Sequence, residues 1–93
     1  MRPVIYLDTK GIDIDVWCGF DLDGFTEVQV EIQYPSGLKV MRPALVISQE
    51  QKVVRYNTRA DDFTVRGFHT VQAVVDFGSN RRVRSSRLGI SVR

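Results

Sequence analysis

Residues 12–34 read IDIDVWCGFDLDGFTEVQVEIQY, and this stretch determines the fold. Apolar and polar residues alternate through 12–20 and again through 27–34, and the turn-forming residues DLDG stand between them at 21–24. A period of two places alternate side chains on opposite faces of a strand, whereas no window of eleven residues shows the helical period. The stretch therefore predicts two strands joined by a turn.

Each of these strands has one face for the core and one for solvent. The alternation directs one set of side chains inward: Ile12, Ile14, Val16, Cys18 and Phe20, then Val28, Val30, Ile32 and Tyr34. It directs the other set outward: Asp13, Asp15, Trp17 and Gly19, then Glu27, Gln29, Glu31 and Gln33. One dry and one solvated face are typical of antiparallel sheets.

The rest of the chain continues the pattern. Further strands are predicted at 3–8, 38–47, 52–58, 71–77 and 81–92, and the last two form a hairpin through the Gly-Ser-Asn turn at 78–80. Pro43 inside the fourth predicted strand indicates a sheet edge or a bulge. About seven short strands predict an all-β, antiparallel β-sandwich that occupies residues 1–93 as a single domain.

Composition agrees with one folded domain. The 93 residues carry 13 Lys and Arg against 11 Asp and Glu, and 43% of them are hydrophobic. No apolar run has the length of a signal peptide or a membrane span, so we expect a chain made in the cytoplasm without membrane contact. Cys18 is the single cysteine, which excludes an internal disulfide. We expect a buried thiol there, with pairing to another chain as the alternative.

Four aspartates, Asp13, Asp15, Asp21 and Asp23, raise the question of a metal or catalytic site. If Asp21 and Asp23 were the third and fifth positions of a calcium loop, its first and closing positions would fall on Gly19 and Val30, which cannot supply the ligands. Asp13 and Asp15 share a strand face but have no neighbouring nucleophile or base. We interpret the four as solvent-facing strand and turn residues, with a metal site or catalysis as alternatives, and predict no cofactor.

His69 shares the parity of Val71, Ala73 and Val75, so it is predicted to point into the core at the start of a strand. In Greek-key sandwiches a tyrosine commonly stands there and bonds back to the main chain. We expect His69 to take this structural role, with a metal ligand or a general base as the alternative.

The basic residues near the end of the chain and the single tryptophan are the candidate interface. Trp17 shares the solvent-facing side of its strand with Asp13 and Asp15, and an exposed tryptophan is a typical interface anchor. The arginines indicate edge protection or salt bridges to an acidic partner. Nucleic acid is disfavoured, because Arg82 and Arg84 are opposite in parity to Arg87 and no aromatic residues are interleaved. The predicted protein interface is Trp17, Arg81, Arg82, Arg84 and Arg87.

The segments DLDGFTEVQVEIQYPSGLKV (21–40) and DDFTVRGFHTVQAVVDFGSNRRVRSSRLGISVR (61–93) together resemble small immunoglobulin-like modules of tailed-bacteriophage virions, including the N-terminal domain type of baseplate upper proteins. The resemblance implies a non-enzymatic structural or adaptor component of the tail, baseplate or fibre-attachment region. It also implies a location in the virion and contacts with other virion proteins, in multiple copies within a symmetric assembly, without a small-molecule ligand.

Two other functions remain open from the residues. A carbohydrate-binding adhesin would stack Trp17, Tyr34 or Tyr56 on a sugar ring. A small nucleic-acid-binding barrel would use the arginines of the last strand, together with Arg93.

Overall fold

Nine strands form the protein in a computed structural model that describes residues 3–78 and 80–93. In chain order they are β1 Val4–Ile5, β2 Asp13–Trp17, β3 Glu27–Gln33, β4 Lys39–Pro43, β5 Leu45–Ser48, β6 Val53–Asn57, β7 Gly67–Asp76, β8 Arg82–Arg84 and β9 Leu88–Val92. Within the described ranges there is no helix that could cross a membrane.

The strands make two sheets that share one core. The larger sheet has the order β1-β9-β7-β3-β4, with β8 also paired to β7, and the smaller sheet has the order β2-β6-β5. Neighbouring strands are antiparallel except for β1, which runs parallel to β9. The prediction of an all-β, mainly antiparallel fold is confirmed. The expected strand count of about seven is wrong, because two predicted strands are each divided and residues 3–78 and 80–93 form nine.

The first divided strand is the one predicted at 38–47. β4 is the edge strand of the larger sheet and ends at Pro43, and the chain then passes at Ala44 into the smaller sheet as β5. A proline lacks the amide hydrogen that a central strand needs, so its place at the end of an edge strand agrees with the expectation from sequence. The divided strand is therefore the connection between the two sheets.

The second divided strand is the one predicted at 81–92. β8 pairs with the C-terminal half of β7 and β9 with its N-terminal half, and residues 85–87 separate them. At this break the amide of Ser85 donates to the carbonyl of Ala73 (3.0 Å), and the Ser85 hydroxyl accepts from the amide of Ala73 (2.9 Å). The hydroxyl thus takes the place of a main-chain acceptor, and the strand alternation restarts after it.

The core contains the inward side chains of both sheets. Ile32 and Val75 of the larger sheet are fully buried, and Val16 of the smaller sheet is 3% exposed. Burial of a side chain of this size stabilises the fold by about 1.5–3 kcal/mol. Cys18 is 6% exposed and the buried surroundings raise the pKa of its thiol, so the expectation that it is buried is confirmed.

Candidate protein-binding surface

An apolar patch lies on the outward face of the smaller sheet. Trp17 of β2 is 65% exposed, and Leu45 and Ile47 of the edge strand β5 are 71% and 43% exposed. Val53 of β6 lies opposite Trp17, next to the β-bulge between Val46 and Ser48. It belongs to the outward face, because the next residue, Val54, points into the core, but it is only 2% exposed. We call Trp17, Leu45, Ile47 and Val53 the Trp17 patch.

A charged cluster borders the Trp17 patch. Arg55 donates two hydrogen bonds to Asp15, from Nε at 2.7 Å and Nη2 at 3.0 Å, and its Nε is 3.7 Å from a carboxylate oxygen of Asp13. The Asn57 amide also donates to Asp13, at 3.0 Å. The hydrogen bonds from Arg55 lower the pKa of Asp15. Both carboxylates are therefore held by β6, their antiparallel neighbour.

The other two aspartates lie in the turn after β2. The Asp21 carboxylate accepts a hydrogen bond from the amide of Asp23 at 3.0 Å, as is usual when aspartate closes a turn. In residues 3–78 and 80–93, no group of three or more His, Cys, Asp or Glu side chains is arranged to hold a metal ion.

Three of the four predicted interface arginines lie on the outward face of the larger sheet and contact side chains of the same chain. Arg82 donates to Asp76 at 2.7 Å and lowers the pKa of that carboxyl, and Arg84 donates to Glu31 at 2.6 Å. Arg87 donates to Gln33 and, at 3.3 Å, to Thr70. The prediction that Arg87 faces the opposite side of the strand from Arg82 and Arg84 is wrong. The break at 85–87 restarts the alternation, so all three side chains lie on the same face.

Glu31 is also more buried than its position in the sequence predicted. Alternation predicted a solvent-facing residue, and Glu31 does point outward, but only 7% of its side chain is exposed. Its Oε2 accepts the Arg84 hydrogen bond, while Oε1 has no hydrogen-bond partner and is 3.8 Å from Arg87. Since these arginines are more than fifty positions away in sequence, no local pattern could have indicated this burial.

The predicted interface is divided between two regions of the molecule. Trp17 and Arg87 line one pocket of about 220 Å³, together with Ser86 and Leu88. Arg81 and Arg82 line a different pocket, of about 460 Å³, beside the turn after β7, where the Arg81 guanidinium lies 4.7 Å from the centre of the Phe77 ring. The structure thus brings Trp17 and Arg87 together and separates them from Arg81.

The rings named for a sugar site are not equally accessible. Tyr56 is 2% exposed and donates its phenol hydrogen to Asp62, so the prediction that it could stack on a sugar is wrong. Tyr34 is half-buried and lies edge-to-face against His69, with ring centres 5.2 Å apart. Trp17 is the most exposed of the three.

His69 lies in the core, as its parity predicted. Its side chain is fully buried between Tyr34 and Phe63, and Nδ1 is 3.2 Å from the carbonyl oxygen of Gly67. Burial lowers the pKa of the imidazole. A neutral ring that bonds back to the main chain agrees with the structural role expected for His69.

No model of a known protein family matches the chain, and no curated protein sequence matches it. What the protein does is therefore inferred from its own fold and surface.

Proposed function

We propose that the chain is an immunoglobulin-like module that binds another protein through the Trp17 patch, as a structural or adaptor component of a bacteriophage particle. The observation that carries this proposal is the grouping of Trp17, Leu45 and Ile47, each at least 43% exposed, on one face of the smaller sheet. Exposed apolar side chains grouped on one face are the kind of surface through which soluble proteins bind partners.

The strand order supports the immunoglobulin-like part of the proposal. The order β2-β6-β5 corresponds to strands B-E-D of the immunoglobulin fold, and β9-β7-β3-β4 corresponds to G-F-C-C′. In this correspondence β7 is strand F, and His69 stands near its start, where the corner tyrosine of such folds is found.

The chemistry of the patch supports a protein partner. Tryptophan is among the residues that contribute most to protein interfaces, particularly when polar groups surround it. Asp15 and Arg55 supply such a polar border beside Trp17. Leu45 also lines a pocket of about 390 Å³ with Arg55 and Arg59, into which a partner side chain can insert.

The resemblance of residues 21–40 and 61–93 to modules of tailed-phage virions favours particle assembly as the setting. In such a particle the module acts through protein contacts and catalyses no reaction. We expect the partner to be another virion protein, which is identified by experiment.

Co-expression of the tagged chain with the products of its neighbouring genes tests the proposal. We expect a stable complex whose affinity falls at least about tenfold in a variant carrying Trp17→Ala and Leu45→Ser, since loss of an interface anchor costs about 2 kcal/mol or more. Leu38→Ser is the matched control, because Leu38 is 63% exposed but lies in the turn before β4. A complex weakened equally by both variants, or by neither, would contradict the proposal.

A further inference from the structure

We propose that the open edge of β2 takes up an extended segment of the partner protein as an additional strand, and that this segment alternates apolar and basic residues. The inference rests on the proposed function and specifies how the partner is bound. In this mode main-chain hydrogen bonds supply affinity, and alternate side chains supply specificity.

The hydrogen bonds between β2 and β6 show which groups of β2 face its open edge. The amide of Thr58 donates to the carbonyl of Ile12 (2.9 Å), and the amide of Cys18 donates to the carbonyl of Lys52 (2.8 Å). Antiparallel pairing uses every second residue, so the even-numbered residues of β2 bond to β6. The amides and carbonyls of Asp13, Asp15 and Trp17 point the other way, where no described strand pairs with β2.

The edge of β2 is open because the preceding strand belongs to the other sheet. β1 pairs in parallel with β9, with Val4 beside Ser91, and does not cover β2. The result is a five-residue strand with one paired edge and one free edge.

Other edges of the described sheets carry a short strand, a bulge, a proline or basic residues, whereas the edge strand β2 carries only the charges of Asp13 and Asp15. β1 has two residues, β4 contains Lys39 and ends at Pro43, β5 is interrupted by a bulge, and β8 has three residues with arginine at both ends. Short strands, bulges, proline and charged side chains, lysine above all, are the usual protections of sheet edges. β2 has regular pairing throughout its length and contains neither lysine nor proline.

An apolar groove runs beside the free edge, between the two sheets. It has a volume of about 320 Å³, and Ile5, Ile12, Leu88 and Ile90 are among the residues that line it. A strand added to β2 would direct every second side chain into this groove. Those side chains are therefore expected to be apolar and of about the size of valine.

The intervening side chains of the added strand would lie beside Asp13 and Asp15. These two carboxylates share the single guanidinium of Arg55, and Asp13, whose side chain is 47% exposed, is the more distant of the two from it. One negative charge on this face is thus not balanced by Arg55. Opposite charges at neighbouring cross-strand positions stabilise a sheet, so the intervening residues are expected to be lysine or arginine.

A second copy of the folded chain does not fit the site through its own β2. Full-length antiparallel pairing of two β2 strands places Asp15 opposite Asp15, and like charges at such a position are destabilising. In addition, Ile14 and Val16 of the second copy are already buried in its own core and cannot fill the groove. The site requires a segment whose side chains are not yet packed.

The test uses the whole chain and a short acetylated peptide that alternates lysine and valine, with a glutamate-valine peptide of the same length as control. Asp15→Pro removes the edge amide but no bond to β6, and Asp15→Ala is its matched control because both variants lack the carboxylate. Asp13→Pro and Asp13→Ala form a second pair in case the first proline variant does not fold. Peptide affinity is measured in each variant, and amide hydrogen exchange at positions 13, 15 and 17 is measured in the native chain and wherever the variant keeps an amide.

We expect the lysine-valine peptide to slow exchange of the three amides and to bind at least about tenfold more weakly to Asp15→Pro than to Asp15→Ala. Equal binding by the two variants would overturn strand addition. Strand addition would also be overturned if these amides were protected in the free monomer or by self-association, or if the glutamate-valine peptide bound equally well. The proposed function and this binding mode can fail separately. If the Trp17→Ala, Leu45→Ser variant loses the partner complex but Asp15→Pro and Asp15→Ala bind the peptide equally, the proposed function stands and only strand addition is refuted.

Discussion

The phenol of Tyr56 donates a hydrogen bond of 2.5 Å to the carboxylate of Asp62, and the two residues are 2% and 0% exposed. Asp62 also accepts hydrogen bonds from the amide of Arg59 at 2.7 Å and from Nε of Arg42 at 3.0 Å. Because Arg42 belongs to β4 and Tyr56 to β6, this one carboxylate connects the two sheets.

We expect Tyr56→Phe to lower the free energy of unfolding by about 1.5–3 kcal/mol, the usual range for a hydrogen bond to a charged group. Urea denaturation measures the change. Tyr6→Phe is the control, since Tyr6 is 70% exposed, and it should leave stability unaltered. Equal stability of the two variants would show that the Tyr56 hydrogen bond to Asp62 contributes nothing to stability.

Stability should depend on pH through His69. Burial lowers the pKa of this imidazole in the folded state, so the unfolded chain binds a proton first, at a pKa near 6.5. The stability that neutral His69 contributes is fully present above about pH 6.5, and it is lost as the pH falls towards the pKa of His69 in the folded state. Thermal unfolding between pH 8 and pH 5, in ~0.1 M salt, should show this loss in the native chain.

His69→Gln is the matched variant, because it cannot titrate in this range. Its unfolding should vary less between pH 7 and pH 5. Asp15 and Asp76 have lowered pKa values and lose their contribution only in more acidic solution. An unchanged pH dependence in His69→Gln would assign the effect to other groups.

Gly67 begins β7 with φ of 126°, and a β-carbon there would lie 2.9 Å from Cγ of Pro35. Gly67→Ala therefore combines backbone strain with a steric contact and should cost about 1–3 kcal/mol. Gly37→Ala isolates the strain, since Gly37 has φ of 93° and open space around its α-carbon, and should cost about 1 kcal/mol. Chemical denaturation of both variants tests the comparison, and a larger cost at Gly37 would refute the role of Pro35.

Arg84 and Arg81 should differ in their effect on stability. Arg84→Gln leaves the buried carboxylate of Glu31 without its hydrogen bond of 2.6 Å, at a cost of about 1–3 kcal/mol. Arg81→Gln removes an exposed charge and its contact with the Phe77 ring, and should cost no more than about 0.5–1 kcal/mol. If denaturation midpoints of the two variants coincide, the Arg84 pair with Glu31 is not structural.

The alternating strands could be predicted from sequence because burial of one face imposes a local period of two. Val16, Ile32 and His69 follow this rule, and each is buried where the pattern placed it. Ser85 shows where the rule stops. Its hydroxyl accepts the hydrogen bond of the Ala73 amide of β7 in place of a main-chain carbonyl, so the strand breaks at a point that no run of hydrophobic residues marks.

The candidate surface was predictable only in part. Trp17 is recognisable because a tryptophan stands on the polar side of an alternating strand. Leu45 and Ile47 are apolar, which by itself would indicate buried positions. They are exposed because the chain changes sheets at Ala44. The open edge of β2 depends on β1 pairing with β9, a contact between residues far apart in sequence.

Fluorescence of Trp17 tests partner binding by the Trp17 patch most directly, because it is the single tryptophan of the chain. In the isolated protein its emission should be that of a water-exposed indole and should be quenched by iodide, since the side chain is 65% exposed. In the complex with a partner that lacks tryptophan, we predict that the emission shifts to shorter wavelength and that iodide quenching falls. Unchanged emission and unchanged quenching in a stable complex would contradict binding through the Trp17 patch.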